Sequence, residues 1–119
     1  MTHPTLICLL LGLTLPLAAQ NIATYTAAET KDHIGEYAHV TGHVTEVHVT
    51  SKGDVFIRFG PAYPDFDFTA VIYSNDRGKF GDVTRLQARA VTVTGTIRLY
   101  HEKPEVILKR REQLEIGKE

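Results

Sequence analysis

The sequence predicts an all-β domain: a five-stranded barrel with a short helix before its first strand and another between the third and fourth. Three observations carry this. Apolar side chains alternate with period two through most of the chain after residue 36, helical spacing is confined to two short segments, and the two longest alternating runs each contain an interior glycine, Gly42 and Gly95. A glycine inside a strand permits the tight bend that coiling a small sheet requires.

The first segment belongs to none of this. Leu6 to Leu17 (LICLLLGLTLPL) is an unbroken apolar or small-residue run closed by Ala18-Ala19, too short to span a bilayer comfortably and built like the hydrophobic region of an export signal. The sequence therefore predicts a signal peptide over 1–19 and one domain over 20–119, periplasmic or secreted. The single cysteine, Cys8, lies in the segment expected to be removed. The mature chain is thus expected to hold no thiol, no disulfide and no membrane anchor after cleavage.

Thr26-Ala-Ala-Glu29 has capping-box spacing and starts a helix over roughly 27–34, docked through Ala28 and Ile34 and ended at Gly35. The first strand runs from Tyr37 to Thr50 with Val40, Gly42 and Val44 on one face. Its parity slips before Val47 and Val49, and one extra residue near Thr45-Glu46, a β-bulge, restores a single inward face. Ser51-Lys-Gly-Asp54 turns the chain into a second strand (Val55, Ile57 and Phe59 inward). After a loop punctuated by Gly60-Pro61 and Tyr63-Pro64-Asp65 comes the third, 68–73, with Phe68, Ala70 and Ile72 inward. Phe80, Val83 and Leu86 recur at threes in a short helix capped by Asn75 or Asp76. Val91 to Leu99 forms the fourth strand, His101-Glu-Lys-Pro104 a turn, and Val106–Lys109 the fifth strand. The acidic tail after Arg111 is expected to be solvated. Helix, three strands, helix, two strands is the plan of an OB-fold.

The segments HIGEYAHVTGHVTEV (33–47), FIRFGPAYPDFDFTAVIY (56–73), KFG (79–81), VTVTGTIRLY (91–100) and KPEVIL (103–108) together resemble a group of small exported bacterial OB-fold proteins. The resemblance covers most of residues 27–116 and implies the same fold. It implies nucleic-acid binding by analogy of fold alone, and it carries no catalytic motif. Two departures stand out: the first hairpin, Thr50–Asp54, is short, and His101-Glu102 stands where the pattern has a residue followed by glycine.

Composition narrows the function. Thirteen Lys+Arg against fourteen Asp+Glu and 43% hydrophobic content describe a folded globular chain rather than a disordered or fibrous one. The charge is unevenly spread: residues 29–76 hold three basic and eight acidic side chains, whereas 77–111 hold nine basic and three acidic. Arg77, Lys79, Arg85, Arg89, Arg98, Lys103, Lys109, Arg110 and Arg111 form a potential positive flank. With the aliphatics inside, the outer face of the first three strands presents His39, Thr41, His43, Phe56, Arg58, Thr69, Val71 and Tyr73. OB-folds bind oligonucleotides on this face. Phe56 and Tyr73 are placed to stack bases, Arg58 and Arg98 to meet phosphate, and Thr41 and His43 to add polar contacts. The competing reading is a periplasmic protein-interaction module using the same face or a strand edge.

His39 and His43 lie about 13 Å apart along a strand rising ~3.3 Å per residue, too far to ligate one metal together. Asp65 and Asp67 share a strand face around Phe66, but beside a loop such a pair reads as solvation rather than catalysis, and there is no nucleophile–base pair or phosphate loop. The sequence thus predicts a binding protein rather than an enzyme, with no metal or cofactor. Its partner is single-stranded nucleic acid or a periplasmic protein.

Overall fold

The computed structural model describes residues 22–117; the apolar run at 6–17 and the expected cut after Ala19 lie outside the described residues. No helix among those residues is long and apolar enough to cross a membrane. The chain builds strands β1 (Thr24–Thr26), β2 (Tyr37–Val49), β3 (Val55–Phe59), β4 (Phe68–Ile72), β5 (Ala90–Thr96), β6 (Arg98–Tyr100), β7 (Lys103–Ile107) and β8 (Leu114–Ile116). They join one eight-stranded sheet in the order β6-β7-β4-β3-β2-β5-β8, with β1 added alongside β2.

The all-β expectation holds, but a closed five-stranded barrel does not form. The sheet's two ends, β6 and β8, share no ladder. The expected fourth strand is interrupted at Ile97, whose N–H donates to Glu36 O (2.9 Å) and whose carbonyl accepts from Gly35 N (2.7 Å). There the chain passes from pairing with β2 to pairing with β7. The two extra strands, β1 and β8, are three residues each. β8 corrects the expectation of a solvated tail. Gln113 is buried; its amide donates to Thr94 O and Ile107 O and its carbonyl accepts from the Lys109 and Arg110 N–H groups. That clamp lays Leu114 and Ile116 against the core beside β5.

Inside, the alternation reads as expected. Val40 and Val44 of β2, Val55, Ile57 and Phe59 of β3, Phe68, Ala70 and Ile72 of β4, Val91 and Val93 of β5, and Val106 of β7 form one buried cluster. Burying each larger side chain contributes roughly 1.5–3 kcal/mol. Both helices are 3-10 rather than α, as suits such short pieces. In the first, Ala27–Asp32, Glu29 Oε1 accepts from the Thr26 N–H (2.9 Å). It docks through Ala27 and Thr30, whereas Ala28 and Ile34, expected to dock it, are exposed. In a 3-10 turn of three residues positions 27 and 30 eclipse one another on a single face. The second helical segment divides into Ser74–Lys79 and Val83–Leu86 and delivers Phe80, Val83 and Leu86 to the core.

The bulge falls where the parity slip demands. Val44 pairs with Phe59 and Glu46 with Arg58, leaving Thr45 unpaired. Gln87 occupies the gap: its amide donates to Thr45 O (2.6 Å) and its carbonyl accepts from Val47 N (3.1 Å). Ahead of the bulge β2 runs antiparallel to β5 through His43, and from Val44 onward it pairs with β3.

Gly95 marks the tightest crossing. A Cβ there would lie 2.5 Å from Val106 Cγ1, well inside van der Waals contact, so β5 and β7 approach only because residue 95 has no side chain. Gly95→Ala is expected to destabilise the domain by about 1–3 kcal/mol through overpacking, read from the urea midpoint with the slope unchanged.

Candidate nucleic-acid interface

On the outer face of the sheet, register alone assembles two rows of side chains. Glu46 pairs with Arg58, Arg58 with Thr69, Thr69 with Glu105, and Glu105 with Arg98, forming a polar row across β2, β3, β4, β7 and β6. Beside it run His48, Phe56, Val71 and Ile107. Were β2 to run on regularly through Thr45, Glu46 would share the inward face of Val44, so the bulge is what supplies Arg58 with its counter-charge.

Two loops stand over these rows. The β3–β4 loop folds Tyr63 and Phe66 back across Arg58, whose Cζ lies 4.9 Å from the Tyr63 ring centroid, 5.2 Å from Phe66 and 5.6 Å from Phe56. Tyr63 and Phe66 stack on one another at 5.9 Å, and the Tyr63–Pro64 peptide is cis. Arg58 Nη1 also bonds Glu46 Oε1 (3.0 Å), leaving the arginine side chain only 14% exposed. Facing this loop is the β6–β7 hairpin, in which Tyr100 pairs with Lys103 across a two-residue turn. Its central residues, His101 (φ 49°) and Glu102 (φ 66°), are both left-handed. That geometry normally recruits Asn-Gly and is strained for other residues. Lys103 Nζ reaches over the groove to Phe66, donating to its carbonyl (2.7 Å) and sitting 4.8 Å from its ring.

Between the loops lies a groove of about 390 Å³ floored by Phe56, Arg58, Thr69 and Glu105. Tyr63 and Tyr100, 65% and 51% exposed, offer their rings to solvent on opposite sides. Glu105 is the unusual member, a carboxylate only 5% exposed whose counter-charge is Arg98 Nε at 2.9 Å. Burial pushes its carboxyl above the ordinary glutamate range, against the opposing pull of Arg98 and of His101. No cluster of three or more metal-ligating side chains occurs among the described residues.

Phe56 and Arg58, expected on the binding face, line the groove; Arg98 reaches its edge through Glu105, with its guanidinium 6.0 Å from the Tyr100 ring. Tyr73, Thr41 and His43 do not line it. Tyr73 lies past the end of β4, as the N-cap of the 74–79 helix. Thr41 and His43 lie beyond the bulge, paired with Thr92 and Ala90 of β5. Tyr63, Phe66, Tyr100 and Lys103 had no periodic signal; only the density of rings in YPDF (63–66) hinted at the first two. The basic flank is partly neutralised: Lys79 pairs with Asp76 (2.8 Å) and Arg98 with Glu105.

No protein-family model matches the chain, and no curated protein matches it. Among solved structures it is similar to a putative aspartyl-tRNA synthetase from Leishmania major Friedlin, at 9% identity and a TM-score of 0.51, over 96% of this chain and 26% of that one. It is also similar to asparaginyl-tRNA synthetase from Pyrococcus horikoshii, at 18% identity and a TM-score of 0.46, over 72% of this chain and 20% of that one. The chain therefore spans about a quarter of the length of the first and a fifth of the second, and the first likeness is one of fold.

Two tests follow from the groove. A carboxyl whose folded pKa is raised lends stability that is full below its unfolded value and lost as pH rises through the folded one. Wild type should therefore gain stability relative to Glu105→Gln as pH falls from 7 toward 4, measured by urea melts across that range. Glu102→Gly relieves a left-handed backbone and should raise stability by about 1 kcal/mol, seen as a higher melting temperature.

Proposed function

We propose that this chain is an exported OB-fold domain that binds single-stranded nucleic acid in the groove between the β3–β4 loop and the β6–β7 hairpin. The observation that carries the reading is the pair of exposed rings, Tyr63 and Tyr100, flanking a floor of Phe56 and Arg58 with Lys103 reaching across. Aromatic faces on both sides of a cleft suit unpaired bases, because every base has a π-face. The pairing scheme supports the fold assignment: β2, β3 and β4 form a meander, β7 runs parallel to β4, and β5 returns against β2. OB-folds are partly open Greek-key barrels that bind oligonucleotides on the face of their second and third strands and on the loop between their last two. Those correspond here to β3, β4 and the β6–β7 hairpin. The likeness in fold to part of an enzyme named for tRNA points the same way. Export to the periplasm or beyond is supported by the apolar run at 6–17.

Charge sets the strength of this binding. Arg58 is already matched by Glu46 and Arg98 by Glu105, so phosphate recognition falls mainly to Lys103, whose ammonium has no carboxylate at ion-pair distance among the described residues. Binding is then weak, sequence-tolerant over most of its length, and driven by stacking. A second reading, a periplasmic protein-interaction module, draws on β6, an end strand of the sheet that exposes Leu99 and Tyr100.

Fluorescence anisotropy with labelled single-stranded 12-mers separates the two. Tyr63→Ala and Tyr100→Ala should each weaken binding by roughly 1–3 kcal/mol, with Tyr73→Ala near neutral. The plot of log affinity against log salt should have a slope of about −1, one to two phosphates' worth for a single strand. No binding at low salt would remove the nucleic-acid reading and leave the interaction module.

A further inference from the structure

The buried acid in the groove floor does not fit a surface that only stacks bases. Glu105 is 4% exposed. Its Oε2 has the Arg98 guanidinium close by as counter-charge but no aligned hydrogen-bond donor, and on the far side of Thr69 the buried Arg58 Nε–H has no acceptor. A buried carboxylate oxygen or guanidinium N–H left without its hydrogen bond is costly, and here an acceptor and a donor of this kind share one floor. Their strands are separated by β4 alone, about 10 Å at ~4.8 Å per strand spacing. That span matches the length of one pyrimidine with a hydrogen bond at either edge.

We infer that the groove selects nucleobases bearing an exocyclic amine over thymine and uracil, the amine donating to Glu105 and a ring acceptor receiving from Arg58. This rests on the nucleic-acid reading of the groove and adds a preference at one base position. The chemistry is directional. An acid oxygen accepts from the 4-amino group of cytosine, whereas thymine and uracil turn a carbonyl oxygen toward it and are repelled. Cytosine also carries its O2 acceptor at the opposite end of the same edge, where Arg58 Nε waits. The counter-charge beside Glu105 can give way, since the Arg98 side chain is 47% exposed and can swing into solvent. Once released, its guanidinium is available to a phosphate of the bound strand.

The experiment compares labelled oligo-dC and oligo-dT 12-mers by anisotropy at low salt and pH 7.5. The two share ring size and phosphate count and differ in the 4-substituent, the proton on N3 and thymine's 5-methyl group. Wild type should bind oligo-dC about tenfold more tightly, within the range of one good base contact. Glu105→Gln should bring the two within about twofold, mainly by weakening oligo-dC. As a check independent of the variant's folding, dCMP should displace labelled oligo-dC from wild type at lower concentration than TMP does. Equal affinity of wild type for both strands, or a preference that survives in Glu105→Gln, overturns the inference while the groove remains a nucleic-acid site. Failure of both strands to bind at low salt removes the underlying reading and this one with it.

Discussion

A single inserted residue, Thr45, governs how the two halves of this molecule relate. Ahead of it β2 sends Val40 and Val44 inward and pairs with β5 as far as His43; from Val44 it pairs with β3, and behind the bulge it sends Val47 and Val49 inward. Side-chain direction has period two, so a strand of this length can keep one buried face across a sharp change of partner only by absorbing one residue. The cost is a pair of backbone groups left outside the ladder, and Gln87 satisfies both. The Thr45 hydroxyl ties the same point to Arg58 O (3.1 Å). The bulge thus serves the core and the outer face together, since it also turns Glu46 outward opposite Arg58.

That ion pair shapes the chemistry of the groove. An uncompensated Arg58 under three rings would be a partly buried cation exerting long-range attraction on any polyanion. Paired with Glu46 at 3.0 Å, it becomes instead a rigid planar platform that holds Phe56, Tyr63 and Phe66 in fixed positions. Pre-set rings lose less conformational freedom when a ligand stacks on them. The near-neutral charge of the whole chain is therefore compatible with binding a strand through its bases, and it accords poorly with binding through phosphates alone.

The alternation of Val55, Ile57 and Phe59 and of Phe68, Ala70 and Ile72 was legible because both strands contribute a full inward face, and the bulge was legible as the point where that parity fails. Phe56 and Arg58 followed from the same rule. Parity says nothing about where a strand stops or changes partner, however. Tyr73 has the right parity but stands one residue past β4, while Thr41 and His43 share a face with one another yet lie beyond the bend, alongside β5. β1 and β8 are too short for three residues to establish a period, although Leu114-Glu115-Ile116 does alternate. The remaining groove residues come from loops: Tyr63 and Phe66 reach Arg58 by tertiary folding, and the burial of Glu105 depends on its lying between β4 and β6, which no local pattern encodes.

Two cavities of nearly equal size let the physics discriminate between a site and a fold irregularity. The second, about 400 Å³ and lined by Phe80, Asp82, Arg85, Leu86, Arg111 and Leu114 among others, keeps its local rules. Asp82 caps the 83–86 helix, accepting from the Thr84 N–H (3.1 Å) and hydroxyl (2.6 Å), and Arg85 Nε donates to Asp82 O (3.1 Å). Those bonds hold the Asp82 carboxyl below its ordinary range, the mark of an acid at rest in its hydrogen bonds. The groove and the hairpin beside it gather several departures: a left-handed glutamate in the hairpin, a buried acid with a raised pKa, a buried guanidinium nitrogen without an acceptor, and tyrosine rings turned to solvent. Outside the groove such exceptions are scattered, as at left-handed Ala88 (φ 66°) and at exposed Ile34 and Tyr37; where they gather, something other than folding is commonly being served. That contrast, more than cavity volume, is why the proposed ligand is placed in the groove rather than in its equal-sized counterpart.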